Sequence, residues 1–317
     1  MTRPAPSRSR RGTSAPLRLR AGRHVVEVSH PDKVLFPRDG LTKGDLARYY
    51  ADVAATMLPH VRGRPLLLNR YRDGIDRPGF VQQDLGATGP PWVGRVETPR
   101  RRGGAIRHPV CRNRETFVWL ANQNAVTLHA WTSREPQLDS PDRLIVDLDP
   151  PNGFDQARDA ARQVRELLDE LGLRSLPMTT GSRGLHVVVP LRPGPSHDDV
   201  RAFARDVAGV LAARHPTTLT AEQRIAKRDG RLYLDMARNT YGQTAVAPYA
   251  VRPRDGAPVA TPLRWEELDD PALRADTFTM RDIPQRLATG GDRWAGIDRH
   301  RQSLRRPAER LARLRAD

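Results

Sequence analysis

The run Arg143-Leu144-Ile145-Val146-Asp147-Leu148-Asp149-Pro150-Pro151 constrains this chain more than any other. Apolar residues lead into carboxylates spaced i, i+2, and two prolines then stop the segment. A short apolar run bounded by turn residues reads as a buried strand. Side chains alternate along a strand, so Asp147 and Asp149 emerge on the same face, about 7 Å apart at the backbone. Two carboxylates on one face at a strand's end can hold one or two divalent cations between them. Phosphoryl and nucleotidyl transfer need that arrangement, because metals stabilise the attacking and leaving oxygens. A strand end with two solvated acids fits the same residues equally well, so the rest of the chain must decide.

Bulk properties narrow the partners. The 317 residues suit one large domain or two small ones with an ample core. No stretch approaches the ~18 apolar residues of a membrane span. Residues 1–23 are basic and rich in Pro, Ser and Arg without an apolar centre, so they are expected to be a disordered basic arm and not a secretory signal. Cys111 is the single cysteine, which excludes an internal disulfide framework and a Cys-rich zinc site and points to a reducing cytoplasm. The net charge of +16 implies an anionic partner, nucleic acid above all, and a place at the nucleoid. Part of that excess sits in the tails, 3–23 and 299–315, the latter within a basic C-terminal helix or tail expected over 291–317.

In chain order, a strand-like run over 25–35 leads into the turn Phe36-Pro37-Arg38-Asp39-Gly40. Thr42 is a predicted N-cap with Asp45 at N3, opening a helix over 43–58 with Leu46, Tyr49, Tyr50, Val53 and Met57 at helical spacing. Lys33 and Lys43, either side of the turn, can converge on a phosphate or simply be solvated. A strand is predicted over 64–71, and Pro78-Gly79-Phe80 marks a turn that brings an aromatic near the surface. Residues 115–124 read as helix and 126–131 as a strand holding His129.

Beyond the acidic strand lies an amphipathic helix over 155–171, with Gly172 as its C′ residue. The turn Thr180-Gly181-Ser182-Arg183-Gly184 then feeds into a buried strand that begins with Leu185-His186. Glycines permit close backbone approach while hydroxyls and a guanidinium supply donors, so this turn suits a triphosphate. It is not a Walker A loop, because the Gly-Lys-Ser/Thr ending and the following helix are missing. After a helix over 197–214, an alternating strand over 230–237 carries Asp235 on a face with Arg231 and Tyr233. The loop 247–254 presents Arg252. This order implies an α/β (α+β) fold with a mixed central sheet and helices on one side.

Val-Asp-Leu-Asp-Pro at 146–150, Thr-Gly-Ser-Arg-Gly-Leu-His-Val at 180–187, Tyr-Leu-Asp at 233–235 and Ala-Pro-Tyr-Ala-Val-Arg at 247–252 together resemble the polymerase domain of bacterial ATP-dependent DNA ligase D. That domain belongs to the archaeo-eukaryotic primase superfamily and serves non-homologous end joining. The likeness runs over about 29–287 and includes Pro31-Asp32-Lys33-Val34-Leu35 and Leu268-Asp269-Asp270-Pro271. It implies a primase-polymerase fold, with an RRM-like palm and an N-terminal α/β subdomain, over 24–290.

By that resemblance, Asp147, Asp149 and Asp235 correspond to catalytic acids holding two divalent ions, Mn²⁺ or Mg²⁺. Thr180, Ser182, Arg183 and His186 match the nucleotide-triphosphate pocket, to which Arg228, Arg252 and His129 also contribute. Lys33 and Lys43 match the pair that holds the 5′-phosphate beyond a gap or break. Phe80 matches the first of two aromatics at the template strand, and Val81 replaces the second. The implied activity adds (ribo)nucleotides to primer 3′ ends at gaps and double-strand breaks. Its partners are DNA ends with a 5′-phosphate, NTP or dNTP, and a separate ligase and Ku-type protein in trans. Lys227-Arg228-Asp229-Gly230 spells the adenylation motif of ligases, but it directly precedes the Asp235 strand and no later ligase motif follows. Two other classes remain in view. A phosphatase using the Asp-x-Asp strand leaves 180–186 and Arg252 without a role, and a non-catalytic DNA-end binder leaves three converging acids unexplained.

Overall fold

The computed structural model describes residues 15–100 and 103–316. The chain opens with a hairpin of β1 (Leu17–Arg20) and β2 (Val25–Val28), then a smaller one of β3 (Val34–Phe36) and β4 (Leu41–Thr42). Helix α1 (Lys43–Val61) follows, and its start is chemically explicit. Thr42 Oγ1 accepts from Asp45 N at 3.2 Å, while the Asp45 carboxylate accepts from Thr42 N at 2.9 Å. This reciprocal pair satisfies two donors that a bare helix end leaves orphaned. Strands β5 (Leu66–Arg70), β6 (Phe80–Gln82), β7 (Gly94–Pro99) and β8 (Ala105–Val110) lead to α2 (Glu115–Asn122) and β9 (Ala125–Trp131).

The second half begins with β10 (Arg143–Asp149) and α3 (Phe154–Glu170). Gly172, at φ +79°, ends α3 in the left-handed conformation expected of a C′ residue. Then come β11 (Leu176–Thr179), β12 (Leu185–Pro190), α4 (His197–Arg214), β13 (Leu219–Thr220) and β14 (Leu232–Asp235). Strands β15 (Thr244–Val246) and β16 (Thr261–Pro262) precede α5 (Ile283–Gly290) and α6 (Arg305–Leu314).

The central sheet has the order β13-β14-β10-β12-β11-β16, with β13 parallel to β14 and the other pairs antiparallel. A second sheet, β15-β9-β5-β6, belongs to the N-terminal half except for β15. On β10, Leu144, Val146 and Leu148 enter a core with Val164 and Leu168 of α3 and Val200, Val207 and Leu211 of α4. Ile145, on the opposite face, joins a different core built on α1, α2, β5 and β9. The period of two along one strand thus splits the molecule into a packing side and a chemical side. Helices α3 and α4 lie on one side of the central sheet, as the sequence implies, while its other face packs on a core to which α1, α2 and α5 contribute.

Several boundaries differ from expectation. The arm expected over 1–23 lies outside the described residues only over 1–14; Leu17–Arg20 form β1, paired in register with β2. The run expected over 25–35 is broken into β2 and β3 by a turn in which Lys33 N donates to the His30 carbonyl at 3.1 Å. The strand expected over 230–237 is shorter, because a 3₁₀ turn, Ala237–Asn239, takes over after Asp235. The C-terminal stretch is held to the body: Leu304 and Leu311 are buried in the same core as α4. A buried hub ties the halves together. Asp142 receives Arg64 at 2.6 Å, Arg134 at 2.6 Å and Arg301 at 3.4 Å.

Candidate nucleotidyl-transfer site

Sheet register assembles the site. Asp147 on β10 is paired with His186 on β12 on one side and with Asp235 on β14 on the other. Directly opposed residues of antiparallel strands share a face with Cβ atoms about 5 Å apart. His186, Asp147 and Asp235 therefore form one row, and Asp149 follows two residues along the same face. The facing wall comes from His129 on β9, Ala245 and Val246 on β15, and Arg238 and Arg252, while Thr180, Ser182, Arg183 and Gly184 close the end.

The turn at that end is locked by its own atoms. Thr180 N donates to the Gly184 carbonyl at 3.0 Å, and Gly184 N donates to Thr180 Oγ1 at 3.2 Å. Gly181 has φ +65°, and a Cβ there would lie 2.8 Å from Arg252 Cγ. At Gly184 a Cβ would run into the Leu148 carbonyl oxygen of β10. The turn can lie this close to the acidic strand only because a glycine sits there. Arg254 reaches over from the loop between β15 and β16 to Ser182 Oγ at 3.1 Å.

Electrostatics inside the cleft are one-sided. Burial alone would raise the Asp147 pKa, but His186 at 3.4 Å and Arg238 at 3.0 Å bring it down to about 2. Asp149 pairs with Arg183 at 2.8 Å, and Asp235 accepts from Ala237 N at 2.8 Å. Burial, then Arg252, Arg238 and His186, push the His129 pKa down to about 3, so His129 is neutral near pH 7. Two buried nitrogens in the cleft, His186 Nδ1 and Arg252 Nε, have no hydrogen-bond partner in the protein. Arg252 Nε can only donate, and a donor left over in a basic cleft suits an anionic ligand. The acids suit hard divalent cations, being oxygen donors on neighbouring positions of one face. Among the described residues no three His, Cys, Asp or Glu side chains already converge as a cage. Asp147 and Asp149 are turned onto arginines, so sharing an ion requires those side chains to rotate.

The remaining residues singled out in the sequence fall in two other places. Lys33 and Lys43 flank the β3–β4 hairpin, joined by Lys43 N donating to the Lys33 carbonyl at 2.8 Å. Lys33 Nζ lies 3.6 Å from Asp73, and Lys43 Nζ donates to Ser29 Oγ at 3.1 Å. Burial, then Lys33 and Arg70, lower the Lys43 pKa to about 8. Phe80 is 38% exposed on β6, with the guanidinium groups of Arg70 and Arg72 over its ring at 5.2 and 5.0 Å, and Val81 beside it is 61% exposed. Arg228 lies outside the cleft proper. It stacks 4.2 Å over Tyr233 and lines an adjoining hollow that shares Asp149 and Arg183 with the cleft. Lys227 is exposed on a 3₁₀ turn, Ile225–Lys227, a poor setting for a covalent nucleophile.

Arg238, Asn239 and Arg70 were not foreseen from sequence. Arg238 and Asn239 follow the Asp235 strand in a turn whose shape the alternating pattern does not encode. Asn239 nonetheless holds β10, accepting from Ile145 N and donating to its carbonyl, both at 2.8 Å.

A palm-type sheet with carboxylates aligned across neighbouring strands, beneath a basic cleft closed by a hydroxyl-rich turn, defines the primase-polymerase class of nucleotidyltransferases. Residues 42–294 match the family model for the LigD primase-polymerase domain, and the chain belongs to that family. It is 36% identical over 288 residues to the multifunctional non-homologous end joining DNA repair protein LigD of Mycobacterium tuberculosis, covering 88% of this chain and 38% of that protein. The Pseudomonas aeruginosa LigD is 33% identical over 308 residues, covering 95% of this chain and 36% of the relative. The chain thus spans well under half the length of these relatives. In three dimensions it matches the polymerase domain of Mycobacterium tuberculosis ligase D in complex with DNA, with a TM-score of 0.81 and 35% identity, covering 87% of this chain and 99% of that one. Among the described residues, no helix is long and apolar enough to cross a membrane.

Proposed function

We propose that this protein is a metal-dependent repair polymerase that adds nucleotides, ribonucleotides by preference, to primer 3′ ends at gaps and double-strand breaks in non-homologous end joining. The observation that carries this reading is the row His186–Asp147–Asp235 set by strand register, of which His186 and Asp147, with Asp149 one step along, line a cleft shared with Arg183, Arg238 and Arg252. Asp147, Asp149 and Asp235 would hold two divalent ions, Mn²⁺ or Mg²⁺. Those ions would lower the pKa of the primer 3′-hydroxyl and shield the triphosphate and departing pyrophosphate. Arg183, Arg252, Ser182, Thr180 and His186 bind and orient the phosphates. Arg228 and Tyr233 border the adjoining hollow, and neutral His129 offers hydrogen bonds without adding charge. Lys33 and Lys43, with Arg70, take the downstream 5′-phosphate, and Phe80 meets the template. DNA ends, nucleoside triphosphates, a ligase and a Ku-type end-binding protein are the partners this reading implies.

The test is Mn²⁺-supported filling of a single-nucleotide gap, with ATP against dATP, and with and without the downstream 5′-phosphate. Extension should favour ATP and depend on the phosphate, and the phosphate effect should vanish in Lys33→Ala. Asp147→Ala and Asp235→Ala should lose extension by at least about 10³-fold while retaining gapped-duplex binding. Wild-type extension by either variant removes the assignment of the acids, and equal use of dATP removes the ribonucleotide preference.

A further inference from the structure

We propose that Arg238 is a displaceable counter-ion, holding Asp147 until a divalent cation takes that carboxylate and then turning onto the triphosphate of the incoming nucleotide. The inference rests on the nucleotidyl-transfer reading of the cleft. Both oxygens of Asp147 are engaged: Oδ1 faces His186 Nε2 at 3.4 Å, and Oδ2 accepts from Arg238 Nε at 3.0 Å. Each oxygen keeps a second lone pair, but a cation bound there would sit beside the Arg238 guanidinium, and that repulsion favours releasing the arginine. His186 is buried on β12, whose backbone is paired on both sides by β10 and β11. Arg238 is freer to move. It belongs to a short 3₁₀ turn instead of a strand, its side chain is 39% exposed, and its other anchor is one long contact from Nη1 to the Thr244 carbonyl at 3.4 Å.

A guanidinium is permanently charged and accepts nothing, so it and a divalent ion repel when they compete for one carboxylate. The same group is matched to phosphate oxygens. Arg238 already lines the cleft with Arg183 and Arg252, so a small swing exchanges the aspartate for a phosphate. The backbone beneath it stays fixed while the side chain moves, because Asn239 is bonded to both polar groups of Ile145. Cation and nucleotide then favour each other's binding. The cation frees Arg238 for the triphosphate, and the triphosphate draws Arg238 off Asp147, a coupling that must be reciprocal.

Arg238→Gln on the full chain tests this with two measurements that need no primer and no turnover. Mn²⁺ affinity without nucleotide, followed by electron paramagnetic resonance, should rise by about tenfold. Affinity for a fluorescent ATP analogue at saturating Mn²⁺ should fall by about tenfold. Opposite shifts in one variant are not produced by general damage to the fold, and Arg238→Lys, which keeps the charge without the guanidinium fork, should shift less than Arg238→Gln in both. Unchanged or weaker Mn²⁺ binding by Arg238→Gln at a wild-type melting temperature overturns the proposal, as does Arg238→Lys behaving like Arg238→Gln. If Asp147→Asn abolishes Mn²⁺ binding and Arg238→Gln leaves it unchanged, the exchange alone fails. If Asp147→Asn leaves Mn²⁺ binding intact, the metal reading of the cleft fails with it.

Discussion

Lys43 shows how one residue's surroundings set its chemistry. Its ammonium is buried next to Lys33 and Arg70, and its pKa of about 8 leaves it only partly charged in mildly alkaline solution. A bound 5′-phosphate favours the charged form, so the complex holds more protons than its separated parts. Phosphate-dependent DNA affinity should therefore be full at pH 7 and fall by up to about tenfold per unit as pH rises above 8. A phosphate effect that stays flat from pH 7 to 9.5 contradicts a contact through Lys43. Gly184 makes a second residue-scale case. Gly184→Ala places a methyl against the Leu148 carbonyl, so both melting temperature and nucleotide affinity should drop, with the backbone shift transmitted to Asp149. The acids and His186 were legible in the sequence because period-two alternation decides which face a side chain takes. Arg238 was not, since its contact depends on where a strand gives way to a 3₁₀ turn, and Arg70 was not, since its neighbours Lys43 and Phe80 are brought to it only by folding.

Among the elements, those with strong local signals start where the sequence places them, although α1 runs on to Val61, past the expected 58. Helix α1 begins at the Thr42–Asp45 capping box, and α4 is capped in the same way by Ser196 and Asp199. Thr42→Ala should cost about 1 kcal/mol, read as a lower melting temperature. Because the cap lies one residue before Lys43, the same change should also weaken the 5′-phosphate effect, whereas Ser196→Ala should lower stability alone. Equal loss of phosphate dependence in both variants would show that the cap acts only through global stability. Elements with mixed signals were harder to place. The stretch over 25–35 is β-like throughout, yet His30 adopts φ +48° and Pro31 follows, which no periodicity argument registers. Strand β1 was missed because a run of arginine and leucine in a basic tail looks like unstructured chain until β2 is there to pair with it.

For the whole molecule, the hub at Asp142 decides whether the parts stay assembled. Burial raises its pKa, but Arg64, Arg134 and Arg143 overcome that and hold it below the ordinary carboxylate range. Its stabilising contribution is present above an ordinary value of about 4 and is lost as pH falls through the depressed one. Asp142→Asn leaves several buried guanidinium groups without their shared anion and should destabilise by about 3–5 kcal/mol, measured as a shift in the urea midpoint. A shift below about 1 kcal/mol would show that the arginines find other partners. The overall charge of +16 acts at longer range, and affinity for gapped duplex should fall roughly a thousandfold between about 50 and 200 mM salt. The interleaving of β10 has one more effect. A pairing error of a single position there would put carboxylates among the leucines and valines of α3 and α4 and lift those leucines into the cleft. Such a chain has neither the α3–α4 core nor a reaction centre, so mispaired molecules are inert, with no dim or half-working form. Turnover recovered after refolding should then serve as a head-count of correctly paired chains.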